Sequence, residues 1–202
     1  MARAKSEDKR DALLAAATRV IAAQGLSAPT AVVAREAGVA NGTLFTYFET
    51  KADLFNQLYL ALKTGMAAAS LEGIAAEAPV REQYSCAWSN WMRWGTLNPG
   101  QRRALALLGA SDDITPETRA AADRAMREFG GMLDRARARG PLQDAPMDFV
   151  VAAVDSLAET TMDFMAGDPA RADEHSRSGF AALCGMLGAL FLTSNFFNLK
   201  ND

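Results

Sequence analysis

The chain has 202 residues, half of them apolar, with 21 Lys and Arg against 24 Asp and Glu. That length can bury a sizeable core as one domain or two small ones, and a formal charge of −3 argues against a protein that coats nucleic acid without sequence preference. Charge is uneven, however: residues 1–55 hold seven Lys and Arg against six Asp and Glu, and residues 56–202 hold fourteen against eighteen, a slightly basic head on an acidic body.

Pro is scarce, Ala and Leu abound, and alternating β-branched runs are few, so the expected fold class is all-α with about nine helices. The first helix is expected from about Ser6, as N-cap, with Leu13, Ala16, Val20 and Ile21 as its apolar stripe and Gly25 as its stop. A second, short helix is expected from about Pro29 to Ala37, with Pro in the first helical turn and Gly38 as its stop. Val39 and Ala40 make a turn, a third helix runs from about Asn41 to Phe48, and Lys51 opens a long fourth helix to about Ala76. Beyond Pro79 the expected helices span about 80–96, 100–110, 115–139, 147–166 and 170–195, separated by Pro, Gly and Asp clusters. Thr115-Pro116-Glu117 supplies an N-cap, a Pro at the first helical position and early acidity, a strong helix start.

Three short helices before a long one, with a tight Gly-containing turn between the second and third, is helix-turn-helix organisation. At ~100° per residue, Leu44 and Phe48 share one side of the third helix, while Gly42 and Thr46 point the opposite way. Thr43 and Phe45 flank that outer face, and Tyr47 lies at its boundary. Leu44 and Phe48 therefore anchor the helix to a small core with Val33, Ala37 and Val39. The outer face is uncharged and short-chained at its start, which lets it approach a groove where hydroxyls and a Tyr meet base edges and phosphates. Lys51 joins a cation to the N–H groups of a helix start, a combination that suits a phosphate.

Ala34, Ala37-Gly38-Val39, Gly42-Thr43-Leu44-Phe45, Tyr47-Phe48, Lys51 and Leu54 resemble, in order and spacing, the DNA-binding signature of the TetR/AcrR family over about residues 8–58. The resemblance implies a three-helix DNA-binding domain at 1–55 and a helical effector-binding and dimerisation domain at 56–202. It implies a double-stranded DNA operator, a small-molecule effector and a homodimer as partners, with no cofactor and no metal. By the same resemblance Asn41, Gly42, Thr43, Phe45, Thr46 and Tyr47 face DNA, and Thr30 and Lys51 approach phosphates. Repression is the family's commoner mode; an activator of the same fold is the alternative. Phe45 stands where the family usually has Tyr, which removes a hydroxyl contact and leaves apolar contact with a thymine methyl. The turn before the second helix is a residue shorter than usual, with Ala28-Pro29 where Thr or Ser is common, and Val32 replaces a position that is often charged.

All three tryptophans fall in one helix. Tyr84, Trp88 and Trp91 share a face at helical spacing, and Trp94 lies a turn beyond. In the resembling family these helices surround an effector cavity, which makes Tyr84, Trp88 and Trp91 ligand candidates, with Met126, Phe129, Met162 and Phe164 behind them. Plain core is the competing reading of such an aromatic stripe. Residues 149–165 are apolar on more than one face. In the last helix Ala181, Gly185 and Ala189 recur beside Leu183, Met186, Leu187, Leu190 and Phe191. Two helices apolar nearly all round suit a dimer surface.

Other functions find little support. His175 is the only histidine, and Ala172 stands where a Glu-x-x-His di-iron pair needs Glu. No phosphate-cradling loop, Cys/His cluster or nucleophile–base pair is present, so no enzyme is expected. Cys86 and Cys184 match no metal-ligand spacing and read as buried, reduced thiols of a cytoplasmic protein. The N-terminal residues lack a signal-peptide apolar stretch. The uncharged run from Ser178 to Leu199 is continuously apolar only from Phe180 to Leu192, short of the ~20 residues a membrane span needs. A helical protein–protein adaptor would explain the C-terminal body but leaves residues 34–55 without a purpose.

Overall fold

Leu13, Ala16, Val20 and Ile21 form the expected stripe and are buried along α1 (Ala2–Gln24), together with Leu14 and Ala17. The computed structural model describes residues 2–75, 77–138 and 140–188. Among these are ten α-helices, one 3-10 turn and no strand. Because α1 begins at Ala2, Ser6 lies within the helix and is not its N-cap. No described helix is long and apolar enough to cross a membrane.

The residues fall into two compact units, and a single cut in the chain does not separate them. The first takes Met1–Met66 with Asn98–Met126; the second takes the described residues of Ala67–Leu97 and Arg127–Asp202. In the first unit α1 packs on α2 (Thr30–Glu36) and on α6 (Pro99–Gly109), and α2 packs on α3 (Asn41–Tyr47). Leu44, Phe48, Leu54, Leu58, Ala104 and Leu108 close its core, each at most 1% exposed. The long helix α4 (Lys51–Leu71) also reaches forward through Asn56. Its side chain donates to the Asp113 carbonyl at 2.8 Å and accepts from the Thr115 N–H at 2.9 Å. This pins the loop that leads into α7 (Pro116–Ala125), whose N-cap is Thr115, as expected, accepting from the Thr118 N–H.

Several expected boundaries move. Pro29 is the extended N-cap residue of α2 (φ −65°, ψ 145°) and Thr30 its first helical residue. The helix expected over 115–139 is two, α7 and α8 (Arg127–Arg137), with Met126 between them.

The second unit packs α5 (Val80–Leu97) on α9 (Met147–Gly167), with α10 (Ala172–Leu187) against both and against α8. A 3-10 turn at Pro169–Arg171 precedes α10. Arg137 ties the end of α8 to the next loop, donating to the carbonyls of Leu142, Gln143 and Ala145 while paired with Asp134. The last helix, expected to reach 195, ends at Leu187 because Gly188 leaves helical geometry at φ +121°. Ala189, Leu190 and Phe191 of the expected dimer row lie outside the described residues.

The turn between α2 and α3 explains the helix-turn-helix angle. Gly38 sits at φ +70°, and its N–H donates to the Arg35 carbonyl while the Val39 N–H donates to that of Ala34. This is the paired C-terminal closure that favours Gly in the left-handed region. Nothing lies within 4 Å of the place a Cβ would take on Gly38, so a substitution meets backbone strain alone. Gly38→Ala should lower stability by ~1–2 kcal/mol, read as a reduced urea midpoint at unchanged helical content.

Candidate nucleic-acid interface

Leu44 and Phe48 are both fully buried, and their burial decides which side of α3 faces outward. Asn41, Gly42, Phe45 and Thr46 are exposed; Thr43 and Tyr47 are half-buried. Tyr47 leans its ring against the first core, so its role is divided between packing and surface. Phe45 keeps 43% of its surface exposed. Thr46 donates weakly to the Gly42 carbonyl at 3.4 Å, leaving its oxygen as an acceptor on the outer face. Gly42 stands in open space, with nothing within 4 Å of where a Cβ would be. The fold therefore does not demand a glycine there.

At the start of α4 the Thr50 hydroxyl accepts from the Asp53 N–H at 3.0 Å, while the Asp53 carboxylate accepts from the Glu49 N–H at 2.9 Å. The carboxylate also accepts from Gln57, whose oxygen receives the Arg10 guanidinium from α1. This chain fixes the α3–α4 corner and places Lys51 at the first helical position, its ammonium 5.4 Å over the Phe55 ring. Thr30 is half-buried at the first position of α2. Arg35, exposed near the end of α2, is the cation that sequence reading passed over. The Thr50–Asp53 closure was also missed; Thr-x-x-Asp before the apolar run of α4 is the signal that could have found it.

A second candidate site lies in the second unit. A small apolar cleft, with free space of about 10 Å3, is lined by Tyr84, Ala87, Trp88, Phe129, Met132, Leu133 and Leu183. Tyr84 donates its hydroxyl to the Met132 carbonyl, and burial pushes its pKa up, with the Arg135 guanidinium opposing. The phenol is thus a neutral donor at ordinary pH. Trp88 donates from Nε1 to the Ser176 carbonyl at 3.0 Å and meets Trp91 edge-on at 6.3 Å. Trp91 in turn meets Phe129 edge-on at 5.4 Å, a step removed from the cleft. Of the sequence candidates, then, Tyr84, Trp88 and Phe129 line the cleft. Met162 fills the space beside Gly95, where a Cβ would collide with its sulfur, and Met126 belongs to the first unit at the end of α7. Phe164 is 60% exposed, its ring 5.6 Å from that of His175. Met132 and Leu133 were missed, although 129, 132, 133 and 136 follow helical spacing along α8.

Outside the cleft, α9 exposes Phe149 (58%) and Phe164, and α10 exposes Ala181 and Gly185. Leu183 and Leu187 are buried within the chain and do not belong to that surface. The close approach of α10 to its neighbours occurs instead at Gly179, where a Cβ would collide with Thr161 and Trp88. Cys86 and Cys184 are half-buried, rather than buried, and unbridged; burial raises the Cys184 pKa, partly offset by Arg81, so it stays a thiol. Among the described residues no group of three His, Cys, Asp or Glu is placed to hold a metal.

Residues 13–58 match the bacterial regulatory proteins of the tetR family. A chain of Shewanella sp., assigned to the tetR family of transcription regulators, matches over 87% of this chain and 95% of its own at 24% identity, with a TM-score of 0.77. A TetR family transcription regulator of Marinobacter aquaeolei matches over 90% and 96% at 21% identity and a TM-score of 0.75. LfrR, the TetR-like regulator of Mycobacterium smegmatis solved with proflavine, matches over 88% and 96% at 20% identity and a TM-score of 0.65. The helix-turn-helix that buried Leu44 and Phe48 hold in place thus belongs to the TetR family of bacterial regulatory proteins, and the chain that carries it has the fold of that family's transcription regulators.

Proposed function

We propose that the chain is a ligand-responsive transcriptional regulator, a homodimeric repressor that a small apolar or aromatic effector releases from an inverted-repeat operator in the cytoplasm. Residues 1–55 would carry DNA contact, and residues 56–202 effector binding and dimerisation. The observation that carries the reading is the outward face of α3: exposed, uncharged and short-chained at its start, on a helix fixed by two fully buried anchors. Such a face suits a major groove. Gly42 agrees with it, because the fold leaves room for a side chain there and a bare position lets the helix start come close to a groove. A helical adaptor would leave both features without a use.

The exposed aromatic and small residues of α9 and α10 support a two-fold interface, which would set the two α3 helices in successive major grooves. The apolar walls of the cleft support the effector class, and a relative of this fold that binds proflavine supports a small molecule. Release would be a population shift: the effector favours a shape of the dimer whose heads no longer match the groove spacing. The loss of DNA affinity cannot exceed that preference, typically ~1–3 kcal/mol.

Four outcomes are expected. Gly42→Ala should stabilise the free protein by ~0.5–1 kcal/mol yet weaken operator binding, as should Thr46→Ala and Tyr47→Phe by ~1–3 kcal/mol; melting and gel shift read the two effects apart. Lys51→Ala should weaken binding to all DNA and flatten its salt dependence by about one charge, and an unchanged slope denies the phosphate contact. Gly185→Arg and Phe149→Asp should yield folded monomers in light scattering that no longer hold the operator. For the effector, Ala87→Leu should fill the cleft and abolish the ligand's change in tryptophan fluorescence, while DNA binding and dimerisation persist. An inducer that acts equally on Ala87→Leu places the effector elsewhere.

A further inference from the structure

We infer that α3 selects A·T pairs, and that Phe45 is the residue that does so by seating its ring against a thymine 5-methyl group. The inference rests on the DNA-binding reading and deepens it. Phe45 is 43% exposed, one of five large apolar side chains so exposed among the described residues, and it stands on a helix whose outer face is otherwise polar or bare. Burying an exposed aromatic ring against an apolar partner is favourable. Among the base edges of a major groove, thymine's methyl is the one apolar group.

The rest of α3 agrees by what it carries and what it lacks. From Asn41 to Tyr47 there is no Lys or Arg, and bidentate pairing to guanine is the commonest use of those residues in the groove. Asn41, exposed at the helix start, has the donor and acceptor that adenine's N6 and N7 require. Thr43 and Thr46 offer methyl groups and hydroxyls that accept either base. Adenine for Asn41 and thymine for Phe45 are the two faces of the same pair type. Arg35 and Lys51, the cations nearest in sequence, stand on the helices before and after α3 and suit phosphates rather than bases.

The test uses the full-length dimer and random duplex DNA. Selection for bound sequences should return a repeat whose half-site centre is A·T. Each selected thymine is then replaced by deoxyuridine, which removes the methyl and nothing else. At one position this should weaken wild-type binding about fourfold, the scale of one buried methyl group. Phe45→Ala should bind more weakly overall but distinguish thymine from uracil by less than about twofold at that position, whereas Phe45→Tyr, which keeps the ring, should retain the discrimination. Phe45→Tyr should melt with the wild type, and Phe45→Ala, which gives up the covered part of the ring, should melt lower but remain folded, as circular dichroism reads. A selected half-site with G·C pairs at its centre, or a uracil penalty that survives in Phe45→Ala, overturns the base assignment while leaving DNA binding intact. Selection that returns no preferred sequence overturns the DNA-binding reading and this inference together.

Discussion

The burial of Leu44 and Phe48 governs how this molecule can meet a partner. They lie four residues apart on a helix of seven residues and its cap, so they share one side of α3, and both are sealed from water. Turning α3 by one residue would expose two large side chains, each worth about 1.5–3 kcal/mol of burial. No other contact of so short a helix could offset that cost. The outward set of Asn41, Gly42, Phe45 and Thr46 is therefore fixed by the core behind it. Two further devices hold the helix ends: the left-handed Gly38 closure before it, and the Arg10–Gln57–Asp53 chain that locks the corner after it. A surface set so rigidly suits readout of a duplex, where a small misplacement loses a hydrogen bond.

The second unit is organised differently. Its core mixes aliphatic side chains with an aromatic cluster in which Trp88 meets Trp91 and Trp91 meets Phe129 edge-on, between α5 and α8. The cleft beside them is walled by apolar side chains, and its polar edge, the Tyr84 hydroxyl, is already committed to the Met132 carbonyl.

Much of this was legible in the sequence, and for identifiable reasons. Helical spacing located Leu44 and Phe48, because a buried stripe has a period. Gly38 marked its turn because left-handed backbone has a residue preference, and Thr115 marked the start of α7 through its capping chemistry. What escaped depended on contacts between distant segments or on competing local terms. The break at Met126 is one such case: a single residue at φ −87°, ψ 2° between two runs of good helix formers leaves no mark in the spacing. Met162 and Trp88 looked alike on their helices, yet one fills the gap beside Gly95 and the other lines the cleft. Leu187 looked like part of an outer row and is buried inside the chain. Spacing tells which residues share a face; it does not tell which neighbour covers that face.

The central claim is that the face fixed by Leu44 and Phe48 reads DNA sequence. The most direct measurement is a gel shift of the full-length chain against the DNA flanking its own gene, with excess unrelated duplex as competitor. The expected result is a complex that survives the competitor, contains two protomers per inverted repeat, and is lost on exchanging the bases of one half-site. A chain that binds flanking and unrelated DNA alike, or neither, would contradict it.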